Sequence, residues 1–192
     1  MRNALLVLMM LFSSCATLAN AAEPSKVMYL TGEVTPKTVL PLILNLSALN
    51  KLPPAQRPAV VVIEINSGGG EYEAGFLLVK AIEASPIQVL CQVDGMAASE
   101  AFFILQACDA RSATARSTLM WHNVTLSEAN VTAVNAASLA KYVEVLNKAA
   151  LSHVSKKLKL TKEEVAEKIR FSDWWMSPDE ALLFGAIDAV IP

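Results

Sequence analysis

The run Ala59-Val60-Val61-Val62-Ile63-Glu64-Ile65, followed by Asn66-Ser67-Gly68-Gly69-Gly70, decides the fold class. An almost continuous β-branched stretch is expected of a strand covered on both faces, because a strand with one wet face alternates instead. The glycines end it, and Tyr72, Phe76, Val79 and Ile82 then recur at three to four residues, the spacing of one helix face. A second unit repeats the pattern: a strand over Ile87–Val93, a turn at Asp94-Gly95-Met96, and an apolar helix around Ala98–Ala107. Upstream, a helix over about Lys37–Asn50 leads into Leu52-Pro53-Pro54-Ala55-Gln56-Arg57-Pro58, a loop too short to separate domains. Alternating strand and helix units with long apolar strands predict an α/β protein with a largely parallel sheet.

Downstream, residues 110–122 read as short strand-like pieces. From Ser127 to Leu158 neither Gly nor Pro occurs, and Val131, Val134, Tyr142, Leu146 and Ala149 mark one face of a long helix. Thr161-x-x-Glu164 reads as a capping box, and Ser177-Pro178-Asp179-Glu180 as another, with Pro in the first helical turn and Gly185 ending the helix. Ala186 to Ile191 reads as a last strand.

The chain has 192 residues, 54% hydrophobic and 18% charged, which fits one globular domain with a sizeable core. Nine prolines and seven glycines are too few for a disordered or collagen-like chain, and three cysteines too few for a disulfide scaffold. A net charge of −2 without a basic block excludes nucleic acid as the main partner. Residues 1–21 carry one positive charge, an apolar run from Ala4 to Phe12, and small residues through Ala19-Asn20-Ala21. That pattern predicts a secretory signal peptide cleaved after Ala21, leaving a domain over residues 22–192 in the periplasm or outside the cell. A retained anchor, or a lipid on Cys15, is the alternative. Export permits disulfides, yet Cys91 falls on a strand and Cys108 near the end of the next helix. Packed faces usually stand beyond disulfide reach, so two buried thiols are expected. Two histidines and two scattered cysteines make no metal site, and no cofactor is expected.

Chemistry-bearing residues stand at the strand ends. Gly68-Gly69-Gly70 lies between a buried strand and a helix, where exposed backbone N–H groups can meet an oxygen. It lacks the endings of the nucleotide-binding loops. Gly95-Met96-Ala97-Ala98-Ser99-Glu100 puts a serine at the first turn of a helix, either as a plain N-cap or as a nucleophile beside unpaired N–H donors. A serine nucleophile needs a base. His153 lies within the long helix and reads as a packed or surface residue, whereas His122 follows a short strand, Ser117–Trp121, where catalytic groups gather. An acid must orient the imidazole, and Asp173 stands in the aromatic stretch Phe171-Ser172-Asp173-Trp174-Trp175.

These motifs together resemble the proteolytic subunit of the Clp protease family, serine peptidases of the crotonase-like fold. The likeness runs from about Val27 to Ile191. Ile65-Asn66-Ser67-Gly68-Gly69-Gly70 resembles the family's Ile-Asn-Ser-Pro-Gly-Gly, with Gly68 for the proline. Gly95-Met96-Ala97-Ala98-Ser99 resembles its nucleophile segment, and Met120-Trp121-His122 its base segment. Asp173-Trp174-Trp175-Met176-Ser177-Pro178-Asp179-Glu180-Ala181 resembles the segment whose aspartate completes the triad, and Leu183–Asp188 the family's ending. The resemblance implies stacked β-β-α superhelix units with a long handle helix at Ser127–Leu158. It implies Ser99 as nucleophile, His122 as base and Asp173 as its orienting partner. It also implies an oxyanion hole from the N–H groups of Gly70 and Glu100, and substrate-strand contacts at Gly69 and Glu71. Glu100 departs from the family's apolar residue, and Ser172 from an arginine linked to ring stacking.

The resemblance implies a homo-oligomer cutting peptides or unfolded proteins through an acyl-enzyme. Only Ala22 to Lys26 would precede the first strand after cleavage, too short for the axial loops that meet an ATP-driven unfoldase, so no ATPase partner is expected. Three alternatives stand beside this reading. They are a Ser–Lys peptidase using Lys80, an acyl-CoA enzyme of the same fold, and a catalytically degenerate scaffold or binding protein.

Overall fold

A computed structural model describes residues 26–125 and 132–192. The segment expected to be a signal peptide, Cys15, the expected start of the long helix at Ser127 and its Val131 lie outside the described residues.

Three long parallel strands form the frame: β1 (Lys26–Val34), β2 (Val60–Gly70) and β3 (Gln88–Ala98). Helix α1 (Pro36–Asn50) crosses from β1 to β2, and α2 (Tyr72–Glu83) from β2 to β3. Both long strands outrun the sequence reading. β2 continues through the glycines because Glu33 and Val34 pair with Gly69 and Gly70, and β3 continues because Ser67 pairs with Ala97. Hydrogen bonding to a neighbour, rather than side-chain hydrophobicity, holds these extensions in the sheet.

After β3 come α3 (Glu100–Leu105), β4 (Ala110–Thr114), β5 (Thr118–Trp121), α4 (Ala133–Val154), α5 (Lys162–Lys168), β6 (Trp174–Met176), α6 (Pro178–Phe184) and β7 (Ala189–Ile191). The sheet runs β1-β2-β3-β4-β7, with β5 on β3 and β6 on β5. β3 is therefore forked. Leu90–Val93 pair with β4, and Met96–Ala98 pair with β5. The last strand is shorter than its sequence suggested, because the Ala186 and Ile187 N–H groups donate to Ala181 C=O and finish α6 instead.

Helix α3 is enclosed on every side. Phe102, Phe103, Ile104 and Leu105 are essentially inaccessible, and each contributes on the order of 1.5–3 kcal/mol by burial. This anchors the chain immediately after Ser99. A buried Arg111 on β4 pairs with Asp188 at 2.7 Å and donates to Gln106 and to the Gly185 carbonyl. Desolvation pushes the Asp188 carboxyl up, but hydrogen bonds from the Arg111 side chain and N–H outweigh it and leave the group below its ordinary range.

The expectation of two free thiols is overturned: Cys91 and Cys108 form a disulfide, with Cα atoms 5.8 Å apart. The reason is the abrupt return of the chain after α3. Asp109 N–H donates to Val89 C=O at 2.8 Å, and its carboxylate accepts from Val89 N–H at 2.7 Å. Cys108 is thereby brought to the edge of β3 rather than left a layer away, inside disulfide range.

Candidate active site

Ser99 closes β3 with φ 53° and ψ −121°, the one positive-φ non-glycine residue among those described. A non-glycine residue in that region is strained by about 1–3 kcal/mol and persists only where its surroundings enforce it. Here the enclosed α3 fixes one side, and the Ser99 N–H donates to Met120 C=O on β5 at 2.9 Å. The hydroxyl does not cap α3, so the plain N-cap reading fails. Instead His122 Nε2 stands 2.7 Å from Ser99 Oγ, the separation of a nucleophile and its base.

His122 follows β5 directly. Trp121, the last residue of β5, packs on α3, with ring centroids 5.9 Å from Phe102 and 6.3 Å from Phe103. The loop beyond is tied down by Asn147 of α4, which accepts from Val124 N–H, and by Asn123, which donates to Ile169 C=O at 2.9 Å.

Asp173 is exposed, and no hydrogen bond joins it to His122. Its place is nonetheless defined by the sheet. β5 and β6 are antiparallel and their ladder ends at the Trp121–Trp174 pair, so His122 and Asp173 each lie one residue beyond that last pair, at the same end of the two strands.

The triple-glycine segment forms the other wall. A Cβ on Gly69 would stand 2.6 Å from Ser99 Cβ and 2.9 Å from Glu100 N, and one on Gly70 would collide with Val34 C=O. Both glycines have positive φ, whereas Gly68 faces open space, which accounts for a different residue being acceptable there. Asn66 and Ser67 hold the segment in place. Asn66 Oδ1 accepts from Met96 N–H, and the buried Ser67 Oγ accepts from Gly69 N–H at 3.1 Å. Glu100 occupies the first helical position of α3, where the N–H has no intrahelical acceptor. Glu71 spends its N–H on Val34 C=O and accepts from Gly75 N–H, and it lines the cavity.

Beside Ser99 and His122 lies a cavity of about 420 Å³, bordered by Gly70, Glu73, Glu100, Trp121 and Leu146 among others. Glu100 is the residue whose behaviour the sequence did not announce. Its side chain is buried, and burial, reinforced by the nearby Glu73 charge, pushes its carboxyl up to about 9. The carboxyl is therefore neutral at pH 7 and does not oppose negative charge on a neighbouring oxygen.

The competing groups are occupied elsewhere. Lys80 Nζ pairs with Glu83 at 3.1 Å. His153 Nε2 sits 3.0 Å from Phe103 C=O with its ring against Phe103, and burial lowers its basicity.

Comparison with known proteins points to one family. The Clp protease family model matches residues 13–192. The chain is 30% identical over 175 residues to ATP-dependent Clp protease proteolytic subunit 1 of Chlamydia muridarum, covering 87% of this chain and 86% of that protein. It is 32% identical over 163 residues to the protein of the same name from Chlamydia caviae, covering 82% of each.

Proposed function

The chain belongs to the Clp protease family, and from that premise we propose that it is an exported, ATP-independent serine endopeptidase acting through a Ser99–His122–Asp173 triad. The observation that carries this reading is the 2.7 Å contact between His122 Nε2 and the strained Ser99 hydroxyl. With its proton on Nδ1, the imidazole accepts the hydroxyl proton as Ser99 Oγ attacks the scissile carbonyl, and later passes it to the leaving amine. Asp173 holds the Nδ1–H side of the ring. The N–H groups of Gly70 and Glu100 receive the developing oxyanion, and water then hydrolyses the acyl-enzyme. Export supplies the reason for ATP independence, because a nucleotide-driven unfoldase has no fuel outside the cytosol. The substrates are accordingly peptides or already unfolded chains. The exposed Tyr142 and Val145 on α4 support assembly into a homo-oligomer through the handle.

A fluorophosphonate probe tests the chemistry. Intact-mass analysis should find one adduct per chain in the wild type and none in Ser99→Ala or His122→Ala. Equal labelling of Ser99→Ala would remove Ser99 from the mechanism and favour a scaffold. N-terminal sequencing of exported material should begin at Ala22, and addition of ATP with a Clp-type unfoldase should leave peptide cleavage unchanged.

A further inference from the structure

The path of β3 changes abruptly just before Ser99. Ile65 and Ser67 of β2 pair with Val93 and Ala97, so one residue of β2, Asn66, spans a step that takes β3 three: Asp94, Gly95 and Met96. On the other edge Val93 pairs with Ala113 of β4 and Ala97 with Leu119 of β5, and residues 114–118 span the same step. Such unequal spans cannot be matched by a regular ladder, yet the polar groups of the main chain inside a sheet have to be met. Side chains meet them here. Asn66 Oδ1 accepts from Met96 N–H at 3.2 Å. Ser117, immediately before β5 and 4% exposed, donates its hydroxyl to Val93 C=O at 2.9 Å and accepts from Gly95 N–H at 3.3 Å. With its one proton so used, it also accepts from the Thr114 hydroxyl at 2.8 Å. Its own N–H donates to Thr114 C=O at 3.0 Å and closes the turn from β4 to β5. Gly95 is required at the centre of the step: its φ is +110°, and a Cβ there would stand 2.6 Å from Asn66 Oδ1.

These bonds join the two segments that end in the proposed nucleophile and base. Ser99 follows the step at the end of β3, and His122 follows it at the end of β5. Beyond the step, three pairs set β3 against β5: Met96–Thr118, Ala97–Leu119 and Ala98–Met120. A slip of one residue would carry Ser99 past His122 by about 3.3 Å and turn alternate side chains to the other face. The 2.7 Å contact between Ser99 Oγ and His122 Nε2 does not survive that. Resting on the peptidase reading, we infer that Ser117 is a positioning residue for the Ser99–His122 pair, with Asn66 as its counterpart on β2. Ser117 acts by fixing the start of β5 on the bend of β3, and through them the two reacting groups on each other. Loss of its hydroxyl leaves Val93 C=O and Gly95 N–H unmet at a closed position and lets β5 shift against β3 by a fraction of a residue step. A misplacement on the order of 1 Å at the reacting atoms costs about a hundredfold in rate.

The test measures kcat and KM on a fluorogenic peptide, fluorophosphonate labelling rates and urea midpoints. It compares wild type with Ser117→Ala, Asn66→Ala, Asn66→Asp and Asp188→Asn. The last weakens the Arg111 clamp between β4 and the chain entering β7, so it lowers stability without touching the step. Ser117→Ala should lose about a hundredfold in kcat and in labelling rate while KM changes little, the mark of geometry lost at the reacting atoms rather than in substrate binding. It should still reach one adduct per chain. Asn66→Ala should be slowed in the same way, and Asn66→Asp should restore the rate, because a carboxylate oxygen accepts from Met96 N–H as the amide oxygen does. Asp188→Asn should lower the urea midpoint and keep the wild-type kcat. Ser117→Ala that cuts and labels at the wild-type rate overturns the inference and leaves the peptidase standing. So does a fall in kcat that Asp188→Asn matches at an equal loss of stability. Absence of labelling in the wild type overturns both. Should Ser117→Ala fail to fold, the Asn66 variants decide, and equal rates in the two overturn the inference.

Discussion

Gly69 lies so close to Ser99 that a Cβ added to it would stand 2.6 Å from the serine's own Cβ. The main chain of one strand end is thus the packing partner of the proposed nucleophile at the end of the next. With φ of +97° at Gly69 as well, Gly69→Ala should destabilise the fold by about 1–3 kcal/mol and slow fluorophosphonate labelling about a hundredfold, as expected for a misplacement on the order of 1 Å. Gly68→Ala, which meets open space, should stay within about 1 kcal/mol of wild type and label normally. Urea midpoints and labelling rates of the two variants check this pair.

Asp173 stands one step beyond the Trp121–Trp174 pair. Asp173→Asn should leave the urea midpoint unchanged and lower peptide cleavage by about 10⁴-fold, the loss seen when a triad imidazole is no longer held in its working tautomer. A loss below tenfold would assign the orienting role to another group.

The buried Glu100 carboxyl makes stability depend on pH in a definite direction. Below its ordinary value of 4.5 both folded and unfolded chains hold the proton, and stability is unaffected by it. As pH rises toward about 9 the unfolded chain releases the proton while the folded one keeps it, so stability falls by up to about 1.4 kcal/mol per pH unit. Glu100→Gln should lack this slope and gain roughly 2 kcal/mol or more over wild type by pH 8. Urea unfolding at pH 6, 7 and 8 measures it, and a difference that does not change with pH would contradict a raised carboxyl.

The Cys91–Cys108 bridge closes a short loop with a sequence separation of 17, worth about 3 kcal/mol by loop-closure entropy. The Cys91→Ala/Cys108→Ala variant should lose stability of that order. Intact mass of the oxidised, denatured protein should show neither cysteine open to alkylation. Quantitative alkylation without reductant would return both to free thiols.

The sheet was legible from β-branched runs such as Val60–Ile65, although only alternate positions of β2 and β3 are fully buried and those between them are half-buried or exposed, so these strands are covered less completely on one face than such runs suggest. Ser99 and His122 were legible from their placement at strand ends, and the structure joins them. Four features were not. The strand extensions through Gly70 and Ala98 are made by main-chain pairing, which side chains do not advertise. The disulfide depends on how sharply the chain returns after Leu105. The burial of Glu100 depends on Gly75, where a Cβ would collide with its carboxyl, twenty-five positions earlier in the chain, a complementarity that becomes visible only once α2 and α3 are packed. The pairing of β5 with β6, which brings Trp174 beside Trp121, likewise belongs to tertiary structure.

The fork in β3 has a consequence for how this protein can change over generations. The segment that neighbours β4 carries the crosslink and the Arg111–Asp188 clamp on that side, whereas the segment that neighbours β5 leads into Ser99 and, through β5, into His122, the proposed nucleophile and base. Substitutions along β4 and β7 will be felt as lost robustness, and those along β5 and β6 as altered reactivity. A lineage can therefore retune, or even silence, its catalysis by drifting on one branch while selection for a durable scaffold acts on the other.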